Sequence, residues 1–353
     1  MLNMTQYIDQ NEETIMHVMF GGDVMLGRNV KEYIQRCSPY YPLGKIAKLM
    51  QQADLTIVNL ECAITDANKI WQGSQKAFYF GAPQQAIHSL IDAGIDMVNL
   101  ANNHTLDFRT NGLLETLQHL HEHDIRFTGA GVDIEEALAP AIITHKGIRF
   151  GMAGFCDHQA DFAAGTRTPG TAYVNLDEEE QALIYFKEAL NKMQQAQVDW
   201  PILSLHWGPN MANRPSEKFK RLAHAIIDMG WKILFGHSAH VFQGIEIYKG
   251  CPIIFAAGDL VDDYYVDPAF NNDHQLLFEM TLSRTSLHGI RLHPVFIESC
   301  HAQLATGKQF ELIVNSMTTL CSEMGTLVKR EGDKIWIDGD SQQTEKNWLS
   351  VHV

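Results

Sequence analysis

Short apolar runs that stop abruptly in Gly, Asn, Asp or His recur along the chain. They are MHVMFGGD (16–23), LTIVNLE (55–61), DMVNLANNH (96–104), IRFTGAG (125–131), IRFGMAGF (148–155), PILSLHWG (201–208), KILFGH (232–237) and PIIFAAGD (252–259). Their β-branched and aromatic content marks them as strands. Helix-period stretches lie between them, over 29–37, 83–93, 111–123, 178–196 and 216–229. Strands alternating with helices predict an α/β fold with a mainly parallel sheet. Continuous apolar runs fit strands buried on both faces. Ligands of such sheets sit beyond the carboxyl ends of the strands, which is where the polar residues fall.

The linking segments are short except 156–177. CDHQADFAAGTRTPGTAYVNLD is polar and rich in Gly, Ala and Thr, and reads as a long active-site loop or a flexible lid. Beyond about 285 the pattern changes to a strand (LHGIRLHPVFIE), a helix (308–324) and a hairpin (GTLVKREGDKIWIDG). The expected organisation is a polar N-terminal tail over 1–15, a main domain over 16–295, and a helix-and-hairpin extension of that domain over 296–353.

With 353 residues and 45% hydrophobic composition, the chain is large enough for a sizeable core. Its formal charge of -15 argues against nucleic-acid partners. Six scattered cysteines without a C-x-x-C pair point to reduced, mostly buried thiols. No apolar run reaches 18 residues and the N-terminus has no apolar leader segment. A cytoplasmic location without a membrane span is therefore expected. Oligomeric state leaves no mark in the pattern.

Candidate chemistry gathers at the strand ends. Asp23 follows the first run and Glu61 the second, and a carboxylate ending a buried strand is costly unless something pairs with it. Asn102, Asn103, His104 and Asp107 crowd behind the third. Asn oxygen is a hard neutral ligand, and His is a ligand or a proton donor, so His104 and Asp107 are the catalytic candidates. His206 ends the run at 201–208, and His237 and His240 lie three apart after 232–237. Asp23, Glu61, Asn103, His206, His237 and His240 thus form a candidate oxygen–nitrogen ligand set for one or two divalent transition metal ions. Mn, Fe or Zn suits it better than Ca or Mg. A two-metal site of this type can activate water for attack on a phosphoryl group. Arg28 is a candidate contact to a substrate anion.

Other signals point to ordinary structure. His119, His121 and His123 fall at the exposed C-terminal end of a helix whose Leu113, Leu117 and Leu120 face the core. Gly129-Ala130-Gly131 lacks the third glycine of a dinucleotide fingerprint, since position 134 is Ile134. The acidic, aromatic stretch with Asp262, Asp263, Tyr264, Tyr265 and Asp267 is a candidate wall of a substrate cleft, as are Asp157 and His158.

GDVMLGR (22–28), NLECAIT (59–65), NLANNHTLDF (99–108), TGAGVDIEEALAP (128–140), LHWG (205–208) and GHSAHVFQGIEIYKGCPIIFAAGDL (236–260) together resemble the capsule-synthesis CapA (poly-γ-glutamate synthesis) family of the calcineurin-like metallophosphoesterase superfamily. The resemblance implies a four-layered α/β/β/α sandwich of the metallo-dependent phosphatase type. It implies Asp23 and His240 on a first metal, Glu61 bridging, and Asn103, His206 and His237 on a second. His104 would donate a proton to the leaving group. Two positions depart from the pattern: Met25 stands where the superfamily has a histidine ligand, and Asp259 where Asn is expected, as an extra ligand, a loop anchor or a substrate contact. The implied activity is a metal-dependent hydrolase acting through activated water on a small-molecule or polymer substrate. The alternatives are a non-phosphatase enzyme or accessory protein of poly-γ-glutamate metabolism, and a member that binds metal only structurally.

Overall fold

The computed structural model describes residues 13–340. Most of the N-terminal tail and the last residues of the C-terminal extension (341–353) lie outside the described residues. Periodicity alone predicted one mainly parallel sheet; the chain forms two large ones. The ten-stranded sheet runs Val328–Glu331, Lys334–Asp338, Leu287–Glu298, His274–Leu282, Met16–Val24, Leu55–Leu60, Met97–Asn99 and Arg126–Thr128. Asp259–Val261 pairs with the first strand and His301–Leu304 with Leu287–Glu298. The six-stranded sheet runs Ile245–Tyr248, Cys251–Ile254, Ile233–His237, Trp200–His206, Ile148–Cys156 and Ala141–His145.

Half of the large sheet is parallel and half antiparallel. The cause is connection length. Strands from 16 to 128 are separated by helical crossovers, whereas those from 274 to 338 follow one another through short links or return beside their neighbours. The last helix, Gly307–Glu323, sets Phe310, Ile313 and Met317 against the core between the sheets.

The two sheets meet face to face over Phe20, Ile57, Phe150, Trp200, Phe235 and Phe278. Phe20 and Phe235 touch edge to face with centroids 5.0 Å apart. Strand alternation assigns the faces: Met16, Val18 and Phe20 point between the sheets, and Met19 points outward to Ile34, Leu90 and Leu113 of the helix layer. On the other side, Phe186 and Leu190 of helix Glu179–Gln195 and Ile226 of helix Glu217–Met229 cover Leu203 and Leu205. Each such buried side chain contributes about 1.5–3 kcal/mol. The layers are therefore helix, sheet, sheet, helix. Among the described residues no helix is long and apolar enough to cross a membrane.

The parallel strands of both sheets end at the same rim, where their carboxyl ends face one another. Segment 156–177, expected as a loop or lid, is tied down. Ala160–Phe162 forms a 3-10 turn and Gly170–Thr171 pairs with Ala130–Gly131. Close neighbours account for the glycines at 129 and 131: a Cβ at 129 would meet Ala101 and Asn99, and one at 131 would meet Glu136 and Ala137.

Candidate metal centre

The site begins with how closely two strands approach. Asp23 lies in register with Asp259 on one side and Asn59 on the other. A Cβ on Gly22 would stand 1.9 Å from the Gly258 carbonyl oxygen, so only glycine allows the contact. The Asp23 N–H donates to that same oxygen at 2.9 Å. Asp23 and Asp259 are thereby held side by side, and both are fully buried.

Asp23, Glu61, His240 and Asp259 each offer a ligand atom, and these atoms all lie within 4.8 Å of one another. Of the roles the sequence offered for Asp259, its place in this group favours the extra ligand. His240 Nδ1 is 3.0 Å from Asp259 Oδ1 and 3.9 Å from Asp23 Oδ2. His237 Nδ1 is 3.5 Å from Asp23 Oδ1, and His206 Nε2 is 3.8 Å from Glu61 Oε1. The two histidines face each other in register across adjacent parallel strands, with rings 6.5 Å apart. The turn from Gly236 to His240 is strained: Ser238 has φ 92 and His240 φ 57. This backbone sends the Ser238 N–H to Asp23 Oδ2 at 3.3 Å.

An amide network fixes the carboxylates. Asn59 Nδ2 donates to Asp23 Oδ1 at 2.8 Å, and Asn59 Oδ1 accepts from Asn99 at 2.9 Å and Asn102 at 3.2 Å. Several other buried atoms make no hydrogen bond: both carboxylate oxygens of Glu61, Asp259 Oδ2, Asn103 Oδ1 and His237 Nδ1. Clustered buried atoms without hydrogen bonds need an explanation, and a bound cation would supply one here. Burial raises the Asp23 pKa to about 6 against His240, Asn59 and Ser238. It also raises Glu61 and Asp259 well above the usual carboxylate range, with the Asp23 charge adding to both. Burial holds His237 down at about 3 and pushes His206 well below its usual value. Neutral imidazoles beside crowded carboxylates are the donor forms a divalent cation needs. The residues fit such a cation.

His104 stands at the edge of this group. Its Nδ1 is 2.5 Å from Asp107 Oδ2, and its ring stacks on Phe80 with centroids 3.6 Å apart. Burial lowers the His104 pKa to about 4 against the pull of Asp107. Asp107 Oδ2 also accepts from the Phe80 N–H at 2.7 Å. Lys76, from the irregular stretch 65–80, donates to Asp107 Oδ1 and to the Asn103 carbonyl. Nothing in the sequence pattern marks Lys76, because the stretch has neither strand nor helix period.

Arg28, the expected anion contact, is engaged by the protein. Its Nε lies 3.3 Å from Asp263, and its guanidinium sits 4.5 Å from the Phe78 ring centroid. Tyr264 meets His240 edge-on at 4.8 Å and, with Asp262, Asp263, Asp273 and Phe296, lines a cavity of about 350 Å³. His158 packs edge-on to His206 at 5.6 Å, with Nδ1 3.0 Å from Asp157. His119, His121 and His123 lie on or just past the helix Arg109–Glu122, away from the centre, and His119 faces Glu122.

Comparison with known proteins adds the following. The model of the bacterial capsule synthesis protein PGA_cap family matches residues 17–264. The capsule biosynthesis protein CapA of Bacillus anthracis is 28% identical over 256 residues, 72% of this chain and 61% of that protein. The PGA biosynthesis protein CapA of Bacillus subtilis is 25% identical over 261 residues, 73% of this chain and 66% of its own. The match thus spans less than two thirds of either relative. A probable polyglutamine synthesis accessory protein of Mycobacterium tuberculosis is 25% identical over 91% of this chain and 95% of its own. A 5'-nucleotidase precursor from Thermus thermophilus superposes with a TM-score of 0.44 at 12% identity, covering 88% of this chain and 59% of that one.

Proposed function

The chain belongs to the bacterial capsule synthesis protein PGA_cap family, and from that premise we propose that it is a metal-dependent hydrolase that cleaves a phosphoester. The observation that carries the reading is the cluster of buried ligand atoms on Asp23, Glu61, Asp259 and His240, all within 4.8 Å of one another, in which both Glu61 oxygens and Asp259 Oδ2 make no hydrogen bond. Asp23, Glu61, Asp259 and His240 would hold one divalent cation, and Asn103, His206 and His237 would complete a second position beside Glu61. A bound Mn, Fe or Zn ion supplies water activation and offsets charge on the substrate.

The chain's own residues supply the rest. Asp107 accepts from His104 Nδ1, and the ring, when protonated on both nitrogens, would carry on Nε2 the proton given to the departing oxygen. Phe80 covers the ring and keeps solvent from its face. The amide network through Asn59 keeps Asp23 aimed without supplying a competing charge. Arg28, already paired with Asp263, would reach a substrate anion only by exchanging that partner.

Turnover of p-nitrophenyl phosphate and bis-p-nitrophenyl phosphate by Mn-loaded protein tests the reading. We expect activity that Glu61→Gln and Asn103→Ala reduce by about 10²-fold or more. Equal rates for wild type and both variants would remove it. The name of the mycobacterial relative, which aligns over most of this chain, favours a second reading: an accessory protein that binds γ-glutamyl chains. Metal-dependent retention on immobilised poly-γ-glutamate, with no phosphoester turnover, would select it.

A further inference from the structure

The cavity of about 350 Å³ lies beside the metal centre, with Tyr264 as their shared wall. Three carboxylates from separate stretches of chain line it: Asp263, Asp273 and Glu298. Asp262 lines it as well, beside Asp259. No lysine, arginine or histidine does. Asp263 Oδ2 is taken by Arg28 Nε at 3.3 Å and by the Asn29 N–H at 3.0 Å. Its other oxygen, Oδ1, makes no hydrogen bond, although the side chain is only 1% exposed. Asp273 Oδ1 is buried and without a hydrogen bond too. Asp273 and Glu298 form no ion pair among the described residues. Buried carboxylate oxygens without partners are costly, so the cavity calls for positive charge.

The spacing of the carboxylates says which kind. Among the described residues, only Asp23, Glu61, His240 and Asp259 bring three or more ligand atoms within 4.8 Å of one another. The carboxylates of the cavity are set wider, too wide for three of them to grip one small metal ion at about 2–2.6 Å. A space of this volume suits an organic group. Two aromatic side chains, Tyr264 and Phe296, complete the lining, and both are partly exposed. Aromatic faces attract a substituted ammonium. Widely set carboxylates with aromatic walls match that class of cation, whereas a neutral or anionic group would leave the buried oxygens unpaired.

We propose that this cavity is a subsite for an organic ammonium group, carried on the alcohol part of the phosphoester held at the metal centre. The proposal rests on the hydrolase reading for the ester, but not for the binding of the ammonium group.

The test uses full-length, Zn-loaded protein, so that the added cation does not take the place of the metal. Choline and its neutral isostere 3,3-dimethylbutanol are titrated by ligand-observed NMR. Wild type should bind choline at least about 10-fold more tightly than the neutral alcohol. Asp273→Asn with Glu298→Gln should weaken choline about 10-fold or more, and Phe296→Leu, which keeps every charge, about threefold or more. No saturable choline binding, equal binding of the two alcohols, or equal choline binding by wild type and the double variant overturns the proposal. In turnover, kcat/KM should favour phosphocholine over 3,3-dimethylbutyl phosphate by about 10-fold or more in wild type, and by less than about threefold in the double variant. Equal values for the two esters in active wild type overturn it as well. If wild type turns over neither ester, the hydrolase reading fails by itself, and choline binding still decides the cavity. If the double variant does not fold, Glu298→Gln alone, at an exposed strand end, takes its place: weaker choline binding supports the proposal and unchanged binding overturns it.

Discussion

Replacing Asp259 by Asn should make the cation-free protein more stable and the metal-loaded protein less so. Asn keeps the shape and can still accept from His240 Nδ1, now 3.0 Å from Asp259 Oδ1. What it removes is one charge from a group whose ligand atoms lie within 4.8 Å. Two unit charges about 4 Å apart at an effective dielectric near 20 interact by about 4 kcal/mol. A divalent cation would lose about twice that, about 8 kcal/mol, on the change to an amide. Relief of the repulsion with Asp23 returns about 4 kcal/mol with or without the cation, so the metal-loaded protein loses about 4 kcal/mol of stability and Mn2+ affinity falls by about 10³-fold or more.

Without cation the sign reverses. Burial and the Asp23 charge raise the Asp259 pKa well above 3.8. A raised carboxyl pKa costs nothing below the unfolded value and destabilises progressively as pH climbs through the folded one. The gain from Asn in chelator should therefore be larger at pH 8 than at pH 5. Calorimetric Mn2+ titration, with thermal melts in chelator and in excess Mn2+, reads both effects. We expect the metal-free Tm to rise and the metal-induced rise in Tm to shrink. Mn2+ affinity within about threefold of wild type, or a lower metal-free Tm, would refute the reasoning.

Two further changes probe the scaffold. Gly22→Ala sets a methyl 1.9 Å from the Gly258 oxygen. It should cost about 1–3 kcal/mol in urea unfolding and lower metal content, and a stability within about 0.5 kcal/mol of wild type would contradict the close approach assigned to these strands. Changing His119, His121 and His123 together to Ala should leave metal content alone and move stability by no more than about 0.5 kcal/mol; a fall in bound metal would show that these histidines take part.

Much of the site lay in plain view along the chain, because residues at strand ends have little freedom of place. Asp23, Glu61, His206 and His237 each close an apolar run, and parallel strands bring such ends to one rim. The four layers came from the family resemblance, and alternation along Met16–Val24 in the structure gives one face to each core. The second sheet was not legible from periodicity, since a buried strand reads alike in either sheet. Lys76 was hidden because its place depends on where Asp161 catches an irregular stretch. The choice among the roles offered for Asp259 stayed open because it depends on the lateral pairing of Asp259–Val261 with the first strand, a contact across more than 230 residues.

Anomalous diffraction from crystals grown with Mn2+ puts the central claim to its most direct test. A strong peak between the Asp23, Glu61 and Asp259 carboxylates and His240, lost in Glu61→Gln, is the predicted result. A map with no peak there, from protein shown to be folded and saturated with Mn2+, would contradict it.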